Sequence, residues 1–344
     1  MSPFLRPWLK VAAVAAGVGI FAWLAARVDW RGVEQLLAKV GWAAPLILVP
    51  YFVVYVVDTL GWRWCLPPGM EIPFGRLFRI RWTGESVNQV VPSAYVGGEA
   101  LKVYLLGRSG VAPDAGACSA VVSKTVQSVA QLIFVLSAAL AGFHLLGKDQ
   151  ALLWGVGVVV FLGALGLATF LVVLRQGLFE TLLKLATWTG IAVSWMSRHR
   201  SRLLELDRSI REFDSRHPGR LFRSFLFYLA GWLLDTVELL LVASLLGVPV
   251  SWSEALVMEA FTGVAKAVGM WIPGSLGVQE AGIVLLGRVT GLPDAFAVSY
   301  AVIRRARETV FALAGLGMLL MESVDWTRVR GLASEKRPPH ETKQ

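Results

Sequence analysis

The sequence predicts an all-α polytopic membrane protein, with about six spanning helices and two re-entrant, broken-helix hairpins that form an inverted internal repeat. Three observations predict it. The 344 residues are 56% hydrophobic and only 17% charged, with a mean hydropathy of +0.61, whereas an ordinary soluble domain carries about 25% charged residues. Several stretches stay nearly free of charge for the roughly 20 residues that a helix needs to cross a hydrocarbon core of about 30 Å. Two other segments match one another around a break containing Pro and Gly.

The spans are taken in chain order. Residues 11–26, extended by Trp8 and Leu9, make the first. Arg6 and Lys10 precede it as they would a secretory signal, but the run is long for a signal core and Ala25-Ala26-Arg27 is a weak cleavage match, so it reads as a retained helix. Residues 40–57 follow, then 125–147, then 151–174, which holds no ionisable side chain. Residues 224–247 and 295–321 qualify by length with charges inside.

Between spans, 175–223 holds Arg175, Lys184, Arg198, Arg200, Arg202, Arg208, Arg211, Arg216, Arg220 and Arg223 against five acids. Basic loops resist translocation, so this segment is expected in the cytoplasm. Its stretch 178–196 reads equally as an interfacial helix or as a packed cytoplasmic cap. The N-terminus and 63–81 then fall inside and 247–254 outside, together with Arg27, Arg31 and Lys39. Residues 1–322 form one membrane domain (repeat A 74–146, basic segment 175–223, repeat B 253–321), and 323–344 form a polar cytoplasmic tail. The formal charge of +9 is explained by these loops and by anionic lipid heads rather than by nucleic acid. Cys65 and Cys118 support no disulfide framework, and His144, His199, His217 and His340 lack ligand spacing, so no metal or other cofactor is expected.

Residues 74–107 and 253–288 each run as a moderately apolar helix, break, and resume. Such breaks are tolerated at membrane depth where protein buries them or a polar cavity meets them. Pro92 is followed by Glu99-Ala100, Leu105-Leu106-Gly107-Arg108 and Pro113-Asp114-Ala115, and Pro273 by Glu280-Ala281, Leu285-Leu286-Gly287-Arg288 and Pro293-Asp294-Ala295. One single-residue gap aligns all of these. Ala117, Ser119, Val122 and Lys124 then match Ala297, Ser299, Val302 and Arg304. Each copy is thus a hairpin and a long helix, the latter opened by Pro-Asp with the Asp as candidate N-cap. An odd number of crossings between the copies inverts the second. Inverted repeats with broken helices are typical of secondary transporters, whose site lies between the repeats near the bilayer midplane.

Charge inside the membrane, at Glu85, Glu99, Lys102, Lys124, Glu259, Lys266, Glu280, Arg304, Arg307 and Glu308, must face other charge or a wet cavity, since an unpaired charge there costs about 3 kcal/mol or more; the candidate substrate site is these residues without Glu259, together with the polar Asn88. Pro92, Gly97, Gly98, Pro273, Gly274 and Gly277 are the candidate hairpin turns. Glu99 and Glu280 read either as carboxylates that satisfy turn amides or pair with Lys102 and Arg288, or as the mouths of a substrate pathway. Lys124 and Arg304 read either as carriers of an anionic headgroup, with folding largely intact when either is removed, or as salt bridges such as Arg304 to Glu308. Asp235 and Glu238 either bind a proton or pair with Lys266. Asp58 is expected at the interface. No catalytic constellation is present, so a non-enzyme is expected.

The motifs Val90-Val91-Pro92 with Gly97-Gly98-Glu99-Ala100-Leu101-Lys102, and Ile272-Pro273-Gly274-Ser275-Leu276-Gly277-Val278-Gln279-Glu280, resemble the flippase-like membrane family that includes the N-terminal domain of lysylphosphatidylglycerol synthases. The second motif looks most like the branch associated with hopanoid biosynthesis. The resemblance covers roughly residues 8–321. It implies translocation of a lipid (an anionic phospholipid, an aminoacyl-phospholipid or a hopanoid-type lipid) in a bacterial cytoplasmic membrane with both termini inside. Membrane lipids, and lipid-biosynthesis enzymes, are the implied partners. The aminoacyl transfer of bifunctional members belongs to a separate C-terminal domain, and the short tail here leaves no room for one. An intramembrane lipid-modifying enzyme and a non-catalytic partner of lipid enzymes are the alternatives.

Overall fold

The computed structural model describes residues 30–91, 96–143, 217–269 and 272–322, with scattered positions between 157 and 208. All regular structure among them is helical. The expected spans at 11–26 and 151–174, the stretch 178–196, Pro92 and the tail 323–344 lie wholly or mainly outside the described residues.

Helix α1 (Trp30–Val40) leads through a 3-10 segment, Gly41–Ile47, into α2 (Leu48–Cys65). Pro45 lies inside that segment. Because proline lacks an N–H and its ring crowds the preceding turn, regular α-helix restarts only after it, and the span expected at 40–57 lies within a longer apolar rod, Val33–Cys65, that contains this break. Along α2 the buried side chains are Tyr51, Val54, Tyr55, Asp58, Thr59, Trp62 and Cys65, a stripe at helical spacing that faces the protein. Val49 and Phe52 on the other side are left exposed for lipid.

The first copy of the repeat is α3 (Phe74–Val90), α4 (Val96–Gly107) and α5 (Pro113–Ala141), with 17, 12 and 29 residues. After α6 (Pro218–Leu246) the second copy is α7 (Trp252–Val268), a 3-10 turn at Pro273–Ser275, α8 (Val278–Val289) and α9 (Asp294–Leu320), with 17, 12 and 27 residues in its helices. Ser251 and Glu254 close a capping box at the start of α7: the Ser251 hydroxyl accepts from the Glu254 N–H, and Glu254 Oε2 accepts from the Ser251 N–H at 2.7 Å. The arms pack on one another within each hairpin. Each long helix also packs on the first arm of the other copy, α9 on α3 and α5 on α7.

Two ends of the bundle can be told apart. At one end Arg220 donates to the carbonyls of Trp64 (3.2 Å) and Leu66 (2.9 Å), and Glu322, just past α9, receives Arg76 from the start of α3 and Arg108 from the end of α4. At the other, Lys39 donates to the Leu246 carbonyl at 3.2 Å, and Arg288 at the end of α8 pairs with Asp294 at the start of α9. Asp294 and Glu322 bracket α9, about 40 Å of helix at 1.5 Å per residue. The hairpins therefore enter from opposite ends, and the repeat is inverted as the crossing number predicts.

Of the described helices, α5, α6 and the rod Val33–Cys65 are long and apolar enough to cross a membrane. Helix α9 has the length but carries Arg304, Arg305, Arg307 and Glu308 at mid-depth. Helix α5 begins at Pro113, where the repeat opens its long helix at Pro-Asp, and so extends well before the charge-free window 125–147, which Lys124 cuts short. Neither Asp114 nor Asp294 is an N-cap. The caps are Ala112 and Pro293 without side-chain bonds; α5 starts two residues, and α9 one residue, earlier than a capping Asp would need, and Asp294 turns to Arg288 instead.

Candidate functional site

Apolar packing forms separate clusters around the two copies, one centred on Trp62, Leu77, Leu101 and Leu105, the other on Leu239, Met258, Ile283 and Phe296. Between them lies a cavity of about 810 Å³ bordered by α2, α3, α4, α5, α6, α7, the 273–275 turn and α9. A space of this size suits a drug-sized or headgroup-sized ligand.

The hairpin tips reach this cavity. In the first, Asn88 Oδ1 accepts from the Gly98 N–H at 2.9 Å, which holds the two arms together. A Cβ at Gly98 would run into Asn88 and the Gly84 carbonyl, so only glycine lets the arms close here. In the second tip Gly274 and Gly277 take positive φ (56° and 81°), as the tight turn requires. Glu280 Oε2 accepts from the Gly277 N–H at 2.7 Å. The same carboxylate receives Arg305, whose Nη1 also donates to the Gly274 carbonyl at 3.0 Å. Glu280 thus satisfies a turn amide, and its cation is Arg305 rather than Arg288.

The first copy supplies a square of charge. Lys102 Nζ lies 2.6 Å from Glu85 and 2.8 Å from Glu99, and Lys124 Nζ lies 3.5 and 3.6 Å from the same two oxygens. Gln127 links Lys124 to Asp58, which pairs with Arg81 at 2.6 Å. Asp58 is therefore not interfacial: α2 buries it, and the Arg81 guanidinium offsets the loss of water.

The second copy is deeper. Glu308 receives Lys266 at 3.0 Å, Arg305 at 3.3 Å and Gln279 at 3.2 Å, with Arg304 and Arg307 each at 3.8 Å. Arg304 makes its short contact, 2.6 Å, with Glu259, which also accepts from Tyr300. Arg307 pairs with Glu238 and stacks over the Tyr51 ring at 3.6 Å. Arg304 thus reaches Glu308 only at the longer distance, and Lys266 turns to Glu308 rather than to Asp235 or Glu238. Glu85 and Lys266 each precede the hairpin proline by seven residues, so the two copies place opposite charges at one register.

These groups balance. Arg81, Lys102 and Lys124 stand against Asp58, Glu85 and Glu99; Lys266, Arg304, Arg305 and Arg307 stand against Glu238, Glu259, Glu280 and Glu308. Asp235 lines the cavity as well, with no hydrogen bond or cation at ion-pair distance among the described residues. All ten sequence-predicted site residues lie in or against this network, and Pro92 alone of the turn residues is outside the described positions. Sequence reasoning counted Glu259 among the charges inside the membrane without placing it in the site, and it passed over Arg81, Arg305 and the part played by Asp58. An aspartate inside an otherwise apolar span was the available signal for the last.

A helical bundle with oppositely inserted broken hairpins around a charged mid-depth cavity defines a polytopic membrane protein of the inverted-repeat class. The chain belongs to the family of the lysylphosphatidylglycerol synthase transmembrane region, whose model matches residues 8–315. The match is to the transmembrane region of those synthases. Curated relatives include a UPF0104 membrane protein of Pyrococcus horikoshii, 22% identical over 294 residues (80% of this chain and 87% of the relative). Another is a UPF0104 membrane protein of Methanothermobacter thermautotrophicus, 25% identical over 320 residues (87% of each). No solved structure matches the chain.

Proposed function

We propose that this protein moves the polar headgroup of a membrane lipid between leaflets through the central cavity, the acyl chains staying in the bilayer. The observation that carries this reading is the band of paired charges, drawn from both copies, around one 810 Å³ space at mid-depth. A charged headgroup in hydrocarbon costs several kcal/mol, and a wall able to exchange its internal partners for those of the headgroup lowers that barrier. Membership of a family named for a lipid synthase's transmembrane region supports a lipid as the ligand; anionic phospholipids, aminoacyl-phospholipids and hopanoid-type lipids are the candidates.

Orientation follows the same physics. The end that gathers Arg63, Arg76, Arg108, Arg220 and Arg223 faces the cytoplasm, and the end with Lys39 and Arg288 faces out; both chain termini are then cytoplasmic. The test is transbilayer movement of a labelled phospholipid in vesicles, with lipid mass followed on the same samples. Faster equilibration than in protein-free vesicles, without change of mass, is the expected result. Vesicles no leakier to lipid than controls would sink the proposal, and a covalently altered lipid would replace it with an intramembrane enzyme.

A further inference from the structure

Among the described residues, seven cations and seven carboxylates in and behind the cavity wall are matched in ion pairs, which leaves Asp235 over. Its residue is 8% exposed and its Oδ1 is buried without a hydrogen-bond partner. Helix α6 carries it near the middle of its 29 residues, at the deepest part of the bundle. The charged and titratable groups around it come from every helix that packs on α6. They are Tyr51 and Asp58 on α2, Lys124 on α5, Glu259 and Lys266 on α7, Arg304 and Arg307 on α9, and Glu238 one turn along α6. Lys39 of α1 is occupied with the Leu246 carbonyl at the far end of α6.

Each cation among these has a carboxylate partner among the described residues, while Arg304 Nε and Arg307 Nε and Nη2 make no hydrogen bond. Arg304 is held by Glu259 at 2.6 Å, Arg307 by Glu238, Lys266 by Glu308 at 3.0 Å, and Lys124 by Glu85 and Glu99. An ionised Asp235 would be a negative charge with no cation at ion-pair distance among the described residues, set near three other acids in a low-dielectric site that Arg304 and Arg307 offset only from farther off, and such a group takes up a proton instead.

We propose that Asp235 is a proton-binding site of the central cavity, held there as the neutral acid and exchanging its proton when the cavity opens to water. The proton site stands on the burial and charge balance of α6 alone; its coupling to lipid movement rests on the function proposed above. A carboxyl that is neutral in one state and ionised in another lets a proton gradient bias which way the cavity faces.

The experiment uses the full chain in lipid nanodiscs near neutral pH. Infrared spectra are expected to show the carbonyl stretch of a protonated carboxylic acid, lost in Asp235→Asn and kept in Glu238→Gln. Absence of any such band from the unmodified protein overturns the proposal whatever the variants do. Asp235→Asn exchanges one neutral group for another and should leave the melting temperature unchanged, whereas Glu238→Gln, which strands Arg307, should lower it. Misfolding or a drop in Asp235→Asn equal to that of Glu238→Gln would make Asp235 an ionised structural partner and overturn the site.

In vesicles with a pH difference, one proton exchanged per lipid sustains up to about a tenfold lipid asymmetry per pH unit, expected for the unmodified protein and absent in Asp235→Asn. Lipid that moves equally with and without the gradient overturns the coupling. Failure of any lipid to move, with the acid band present, counts against the transport reading and leaves the proton site supported by its spectrum.

Discussion

Lys124 and Arg304 occupy one register of the repeat, yet burial gives them different work. The Arg304 side chain is 6% exposed against a Glu259 that is fully buried, whereas Lys124 is 35% exposed and shares its carboxylates with Lys102. Removing one member of a buried pair strands the other, at about 3–5 kcal/mol. Glu259→Gln and Arg304→Ala should therefore lower thermal stability by that order, measured by unfolding in detergent. For Arg304 the buried pair with Glu259 argues against the expectation that folding survives loss of either cation. Lys124→Ala should cost about 1 kcal/mol or less, because Lys102 still bridges Glu85 and Glu99, while slowing lipid movement. A melting temperature depressed as far as that of Arg304→Ala would assign Lys124 to structure. The sequence made the shared register legible through identities on either side. It hid Arg305, whose counterpart in the first copy is Thr125, and Arg81, whose partner Asp58 sits on a different helix.

Each hairpin is held by local chemistry that can be broken one piece at a time. Gly98→Ala would drive a methyl into Asn88 and the Gly84 carbonyl. The arms must then splay, with destabilisation of roughly 1–3 kcal/mol and faster amide hydrogen exchange in α3 and α4 than in α7 and α8. Exchange rising equally in both hairpins would mean that the contact at Gly98 is not a local fastening. At the basic end the Arg76 guanidinium, hydrogen-bonded to Glu322 with Arg108 behind it, holds the Glu322 carboxyl below the ordinary 4.5. A lowered folded-state value stabilises the protein above the unfolded value and is lost as pH falls through the folded one. Acidification below about 4.5 should therefore loosen this clasp, and Glu322→Gln should flatten that part of the stability-against-pH curve. An unchanged curve in Glu322→Gln would show that other carboxylates carry it. The broken helices were legible because Pro and Gly punctuate a pattern too short to span. The start of α5 was legible in the repeat, through Pro113-Asp114, and not in hydropathy, since a search for charge-free windows steps over a helix that turns Lys124 inward.

For the molecule as a whole, Arg76, Arg108 and Glu322 meet at one end of α9 while Arg288 and Asp294 meet at the other. Single cysteines replacing Ser109 and Thr290, at the open ends of the two hairpins, should react with an impermeant reagent from opposite sides of the membrane. Reaction of both from one side would exclude the inverted arrangement. Fold class and inversion followed from composition and from counting crossings, both of which survive errors of several residues at helix ends. The pairing of charges did not, because which cation meets which carboxylate is set by how α3, α6, α7 and α9 approach one another across long stretches of chain.

The crossed packing, in which α9 lies on α3 and α5 lies on α7, bears on ancestry. If the two copies began as one gene, its product had a long helix that reached its own first arm only through charged side chains, and the close helix packing it lacked would have come from a second molecule inserted upside down. On that premise the ancestor would have been an antiparallel homodimer able to enter the membrane in either orientation. Fusion freed the two registers to diverge, and Glu85 opposite Lys266 is a mark of that freedom: a symmetric dimer would have set two like charges across its axis, where the fused chain sets one of each sign.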